Sequence, residues 1–347
     1  MKTVDERRKS WCDFYKPDGK TKFVYLVSCG EMGCTYPRPY MWPQFKKERI
    51  EWAWNSYLAD VERIKWIDDY SIPFLSVTSG TEIFAEAFGT KVYRPNNDMP
   101  FAIPFVKSPS EAEKIRVPKL EDTPLMHLFD IADELVRRAG KNVPLQLPDM
   151  QSPMDVVAQI WDKTDLFPSM IEAPDEVKNL AEKVKALQFA FLDEWFSRYG
   201  TAYIAHFPTY YMEKGITVSV DEIGSVSTEM YDEFFAKELD EMSKRYGGIG
   251  IHCCADSRHQ WANLKKTDGL VMLNFCRPIN QLDESYEFFK DSVAMWPMAI
   301  ENNAGSYLPI KRKDEYPEGS HIVFTTGANT KEETIQLVEK LKNEYGE

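Results

Sequence analysis

Short apolar runs and longer amphipathic stretches alternate along the chain. The runs are KFVYLVS (22–28), IPFLSVT (72–78), VPLQL (143–147), AYIAHF (202–207), GIGIHC (248–253), GLVMLNF (269–275), VAMWPMAI (293–300) and HIVFTT (321–326). They are apolar throughout, as strands buried on both faces are. Between them lie segments whose apolar residues return every three or four positions. QFKKERIEWAWNSYLADVERIKWIDD (44–69) is one, and APDEVKNLAEKVKALQFAFLDEWFSRY (173–199) is another, with Pro174 and acidic residues in its first turn. STEMYDEFFAKELDEMSKRYGG (227–248) ends in glycine, as helices often do. Thr330 with Glu333 three residues on predicts a capping box at the start of the last helix.

Eight strands alternating with helices predict a (β/α)8 barrel occupying the whole chain, 1–347. The rival is an open doubly wound sheet. It loses its usual support because no G-x-G-x-x-G follows any run. An N-terminal arm of about 1–20 is expected to fold against one end, and a long loop of about 80–123 to form a small excursion over one barrel rim. The stretch 301–320, with Pro309 and Pro317, has no helical period, so an outer helix is expected to be missing or reduced to a turn there.

Composition narrows the classes. With 43% hydrophobic residues in 347, the chain can build a large core. A net charge of −13 disfavours nucleic acid as a partner. The N-terminus has charge but no following apolar core, and no run is long enough to span a bilayer, so a cytoplasmic protein without membrane attachment is expected. Its six cysteines are then reduced thiols rather than a disulfide framework.

In such barrels chemistry gathers at the C-terminal ends of the strands. Those ends supply Glu82, Asp149, His206, His252, Cys254, Cys276 and Glu301. Strand alternation turns residues 252 and 254 to one side and Cys253 to the other. His252, Cys254 and Cys276, with Glu301 or water in fourth place, would make a zinc site, since zinc takes imidazole, thiolate and carboxylate. The competing reading is that free cysteines and a carbonyl-bonded histidine are ordinary core residues. Both stay open. Asp149, His206 and Glu82 are candidates for catalysis or substrate positioning. Alternatively, Asp149 caps a helix and His206 bonds a carbonyl. Asp221 and Glu222, side by side, are either a substrate-facing pair or a loop cap, with capping the favoured role.

Several segments carry a family resemblance. EIFAEAFGTKVY, VPLQLPDMQSPMDVVAQIW, DEIGSVSTEMYDEFF, IGIHCC and HIVFTTGANTKEETIQLVEKL together resemble the uroporphyrinogen decarboxylase superfamily, which includes corrinoid-linked methyltransferases. The resemblance runs nearly end to end and implies a (β/α)8 barrel. It departs at the decarboxylase residues. The arginine-rich first loop reads SCGEMGCTYPRPY, with Arg38 alone. The aspartate after strand two falls near Gly80, the strand-three tyrosine near Gln159, and the C-terminal histidine at Ala328.

In the methyltransferase branch the resemblance implies a zinc site of His-x-Cys plus a later cysteine. His252 and Cys254 match the first two, and Ala328 stands at the third. Three functions follow as expectations. The first is a zinc-dependent enzyme that activates a thiol for methyl transfer from a corrinoid protein. The second is a uroporphyrinogen decarboxylase, disfavoured by the missing residues. The third is a non-enzymatic barrel that binds a small molecule.

Overall fold

The computed structural model describes residues 1–96, 98–300 and 310–346. Its strands are β1 (Phe23–Cys29), β2 (Lys91–Tyr93), β3 (Phe101–Ile103), β4 (Leu145–Gln146), β5 (Tyr203–Ile204), β6 (Tyr211–Met212), β7 (Ile216–Ser219), β8 (Ile249–Cys253), β9 (Leu270–Arg277), β10 (Ala294–Ala299) and β11 (Ile322–Ala328). Six of them form one parallel sheet in the order β1-β11-β10-β9-β8-β7. Two irregular segments complete the wall. Leu75 pairs in parallel with Leu145, and Gln151 with Ser219 of β7. Tyr70 N–H donates to Tyr25 O of β1. The circuit thus runs from β1 through 70–77 and 145–152 to β7 and back, which is the wall of a (β/α)8 barrel.

The sequence reading put the fourth stave at 202–207, and here the structure differs. β5 lies in that run, but it pairs with β4 and folds back antiparallel onto β6, outside the six-stranded sheet. The stave next to β8 is β7, in a stretch read as loop. Ile216 to Val220 is a β-branched run buried throughout, a strong strand former. It is short and flanked by turn residues, which masks it. Gly215 is left-handed at φ 96°, and a Cβ there would stand 2.7 Å from Gly248 O, so the tight entry into β7 requires glycine.

The outer elements follow the amphipathic pattern. Pro174–Tyr199 is a single helix, Lys237–Tyr246 ends on left-handed Gly247, and Thr330 and Glu333 form the capping box of Lys331–Tyr345. The rim stretch folds as the short helix Ile83–Ala87, the β2–β3 hairpin and the helix Pro109–Lys114. Of the stretch 301–320, residues 301–309 lie outside the described set, and Lys313–Glu315 forms a 3-10 turn. Helix Val4–Phe14 buries Arg7, Trp11 and Phe14 against the N-terminal ends of the staves. There Trp11 Nε1 donates to Tyr70 O, and Phe14 O accepts from His321 Nδ1. Among the described residues no helix is long and apolar enough to cross a membrane.

Side chains stitch the wall between β1 and 70–77. Val27 N–H donates to Asp69 Oδ2 at 2.9 Å, and Val27 O accepts from Arg63 Nη1 at 2.9 Å. Asp69 also accepts from Arg7 Nη1 at 2.6 Å, and Arg7 donates onward to Ile67 O and Ser71 O. Arg7 and Asp69 are both fully buried. They satisfy backbone groups that would otherwise be orphaned at this seam. Breaking a buried ion pair by removing one member costs about 3–5 kcal/mol. Asp69→Ala should therefore lower stability in urea unfolding by about that amount. A loss below about 1 kcal/mol would show that the seam is held by something else.

Candidate metal centre

The centre is built from neighbouring strand ends. β7 and β8 run in register, with Ser219 opposite His252, so Asp221 rises two residues above His252's level. On β8, Cys253 is buried in the core, while His252 and Cys254 line the cavity inside the barrel. One ligand atom from each of Asp221, His252 and Cys254 lies within 4.8 Å of the others. His252 is buried, Asp221 half-buried and Cys254 exposed.

The next two strands fix the imidazole. Asn274 of β9 stands opposite His252, and Trp296 of β10 opposite Asn274. Asn274 Nδ2 donates to Trp296 O at 2.5 Å, which leaves Oδ1 to accept from His252 Nδ1 at 2.5 Å. The proton is thereby assigned to Nδ1, and Nε2 keeps a free lone pair. A metal-binding histidine needs this arrangement.

Asp221 is held from both sides. Its Oδ1 accepts from Cys254 N–H at 2.7 Å. Asp155, fully buried, accepts from the backbone N–H of Asp221 at 2.7 Å and of Glu222 at 3.1 Å, and from the Ser152 hydroxyl. Burial, then the neighbouring Asp221, pushes the Asp155 carboxyl up to about 8. Although Cys254 is exposed as a residue, partial desolvation of its thiol, then Asp221, pushes the thiol up to about 12. Two potential anions thus face each other, a pairing that a divalent cation would convert from repulsion to joint ligation.

The other anticipated residues fall in three places. Cys276, at the end of β9, lines the same cavity, and burial raises its thiol. It is not in the tight three-residue group. Glu301 lies outside the described residues. Ala328 ends β11 and contributes no donor; Cys29 of β1 stands opposite it.

Asp149 and His206 meet on the far side of His252. His206 Nε2 is 3.6 Å from Asp149 Oδ1 and 3.2 Å from Ser219 Oγ. Burial, opposed by Asp149, lowers the His206 pKa, so the imidazole is neutral at physiological pH. Glu82 is buried at the start of helix Ile83–Ala87, and burial raises its carboxyl to about 7.

The sequence reading misses Asp155 and leaves Asp221 as a loop cap or one of a substrate-facing pair, because β7 is too short to stand out as a strand. The usable signal was the aspartate just past the β-branched run of β7, and Ser152 three residues before Asp155, a helix-capping spacing. Arg38 lies over the Trp52 ring at 5.4 Å. Among the described residues lining the cavity, Arg63 is the arginine, and it is bound to Val27 O and Asp60.

A parallel barrel with a histidine, a cysteine and an acid gathered at its strand ends defines a class that comparison with known proteins makes specific. The chain belongs to the uroporphyrinogen decarboxylase (URO-D) family, whose model matches residues 63–275, more than half its length. A solved methyltransferase from Methanosarcina mazei shares the fold, with a TM-score of 0.67 over 99% of each chain at 13% identity. Among curated proteins, none matches the chain in sequence.

The donors fit zinc, which accepts imidazole, thiolate and carboxylate in tetrahedral sets with one position open for catalysis. The hydrogen-bond partner of a ligating histidine is worth roughly 10–100-fold in metal affinity. Asn274→Ala should weaken zinc binding by about that factor in a chelator competition, and unchanged affinity would separate Asn274 from the centre. Ligation must also displace the Cys254 proton, which is still bound below about pH 12. Zinc affinity should therefore rise by about tenfold per pH unit between about pH 7 and 9. A flat profile would mean that the thiol is not a ligand.

Proposed function

We propose that this protein is a zinc-dependent methyltransferase that activates a thiol acceptor and takes the methyl group from a corrinoid protein. The observation that carries the reading is the convergence of Asp221, His252 and Cys254 within 4.8 Å. Zinc held there would lower the pKa of an acceptor thiol, so that its thiolate attacks the methyl group at neutral pH. His252 offers Nε2, oriented by Asn274. Cys254 offers Sγ, and Asp221 offers the carboxylate oxygen that faces them. Asp221 takes the place left by Ala328 in the donor set.

The neighbouring polar groups handle protons and position substrate. His206 is neutral and sits between Asp149 and Ser219, a group able to receive the acceptor's proton. Glu82 titrates near neutrality because it is buried, and Asp149 lies within its electrostatic reach. The decarboxylase reading has less support. A substrate with many carboxylates needs cationic partners, since an unpaired buried ion costs several kcal/mol. The lining arginine, Arg63, is already paired.

The test is methyl transfer from methylcobalamin to a panel of thiols, using protein loaded with one zinc. His252→Ala and Asp221→Ala should each lower turnover by roughly 100-fold or more, the range seen when a transition-state charge partner is lost. Full turnover without zinc would overturn the proposal, and so would decarboxylation of uroporphyrinogen.

A further inference from the structure

Barrels of this type usually fill their interior with layers of side chains. This one encloses a cavity of about 860 Å³, at the upper end of the roughly 300–1,000 Å³ of small-molecule sites. Small side chains leave the space. Ser28 of β1 is exposed within its strand, and Thr325 of β11 stands on the same inner face. The cavity runs the height of the barrel. His252, Cys254 and Cys276 stand at its mouth, and Trp11 of the N-terminal helix and Tyr70 lie at its floor.

The chemistry of the wall restricts what can enter. Phe207 stands edge-on to the His252 ring, with centroids 5.0 Å apart, and stays 42% exposed at the entrance. An aromatic face left open beside polar donors is a stacking platform. Among the described residues the ionic groups in the lining are Asp60 and Arg63. They pair with each other at 3.2 Å, and Arg63 also bonds Val27 O. An anion brought inside would find its natural partner occupied.

We infer that this cavity takes an elongated, uncharged, ring-bearing molecule, with its polar end at the Asp221–His252–Cys254 cluster and its apolar end toward Trp11. The orientation rests on the metal reading, and the binding rests on the cavity alone. A substrate of this class is far larger than a simple alkyl donor or acceptor. It places ring contact with Phe207 among the specificity determinants.

Calorimetric titration with 2-methoxynaphthalene, a neutral two-ring probe, tests this, with 2-naphthoate as the anionic match. Both are run on zinc-free and zinc-loaded protein. The neutral probe should bind one-to-one in either form, and the naphthoate at least tenfold more weakly. Ser28→Trp, which fills the void, should lower the affinity for the neutral probe at least tenfold with unchanged circular dichroism. Thr325→Leu, a smaller filling of the same space, should lower it in the same direction if the first variant fails to fold. Failure of folded wild-type protein to bind the neutral probe overturns the inference. So does naphthoate binding as tightly, or unchanged affinity in the folded variants. Probe binding by a protein that takes up no zinc would keep this inference and remove the metal reading, and zinc uptake without probe binding would do the reverse.

Discussion

The electrostatics at the ends of β7 and β8 constrain everything around them. A carboxylate and a thiol are held close together beside an imidazole, and the thiol keeps its proton because burial and the carboxylate oppose its charge. Packing alone would select against such a grouping, since buried charge without a partner is costly. A cation bound there would resolve it by making both groups ligands of one charge. The surroundings are arranged to the same end. Asp155 anchors the backbone of Asp221 and Glu222, and the Asn274–Trp296 ladder holds the imidazole with its lone pair free.

The barrel makes this grouping possible by sacrificing regularity elsewhere. Register across β7, β8, β9 and β10 sets Ser219, His252, Asn274 and Trp296 side by side. The opposite wall, from β1 to 152, is held by scattered backbone bonds and by the buried Arg7–Asp69 pair with Arg63. The N-terminal helix supplies Arg7 to the seam and Trp11 to the floor of the cavity. One element thus contributes both to closing the wall and to bounding the space within.

Much of the fold was legible in the chain. Long amphipathic helices such as Pro174–Tyr199 and capped ends such as Thr330 carry local signals, and those signals agree with the packing. The strand β8 was legible with its two faces, because alternation decides where His252, Cys253 and Cys254 point. β7 was obscured because it is short and lies between Gly215 and the acidic pair Asp221–Glu222, where turn chemistry dominates the local pattern. The run 202–207 carries a strand pattern, yet tertiary pairing places β5 in a hairpin beside β4. The seam could not have been found at all, since Arg7 and Asp69 are 62 residues apart and nothing local links them. Asp221 escaped for a related reason. Its role depends on which strand it follows, and that strand was read as loop.

The proposed chemistry depends on the donor set of the candidate metal centre. X-ray absorption at the zinc edge, on protein loaded with one equivalent of zinc, measures it directly. One sulfur neighbour near ~2.3 Å and nitrogen or oxygen neighbours near ~2.0–2.2 Å are expected, from Cys254, His252 and Asp221. Asp221→Ala should remove an oxygen neighbour and leave the sulfur in place. A shell of two or more sulfurs, or zinc that does not bind stoichiometrically, would contradict that donor set.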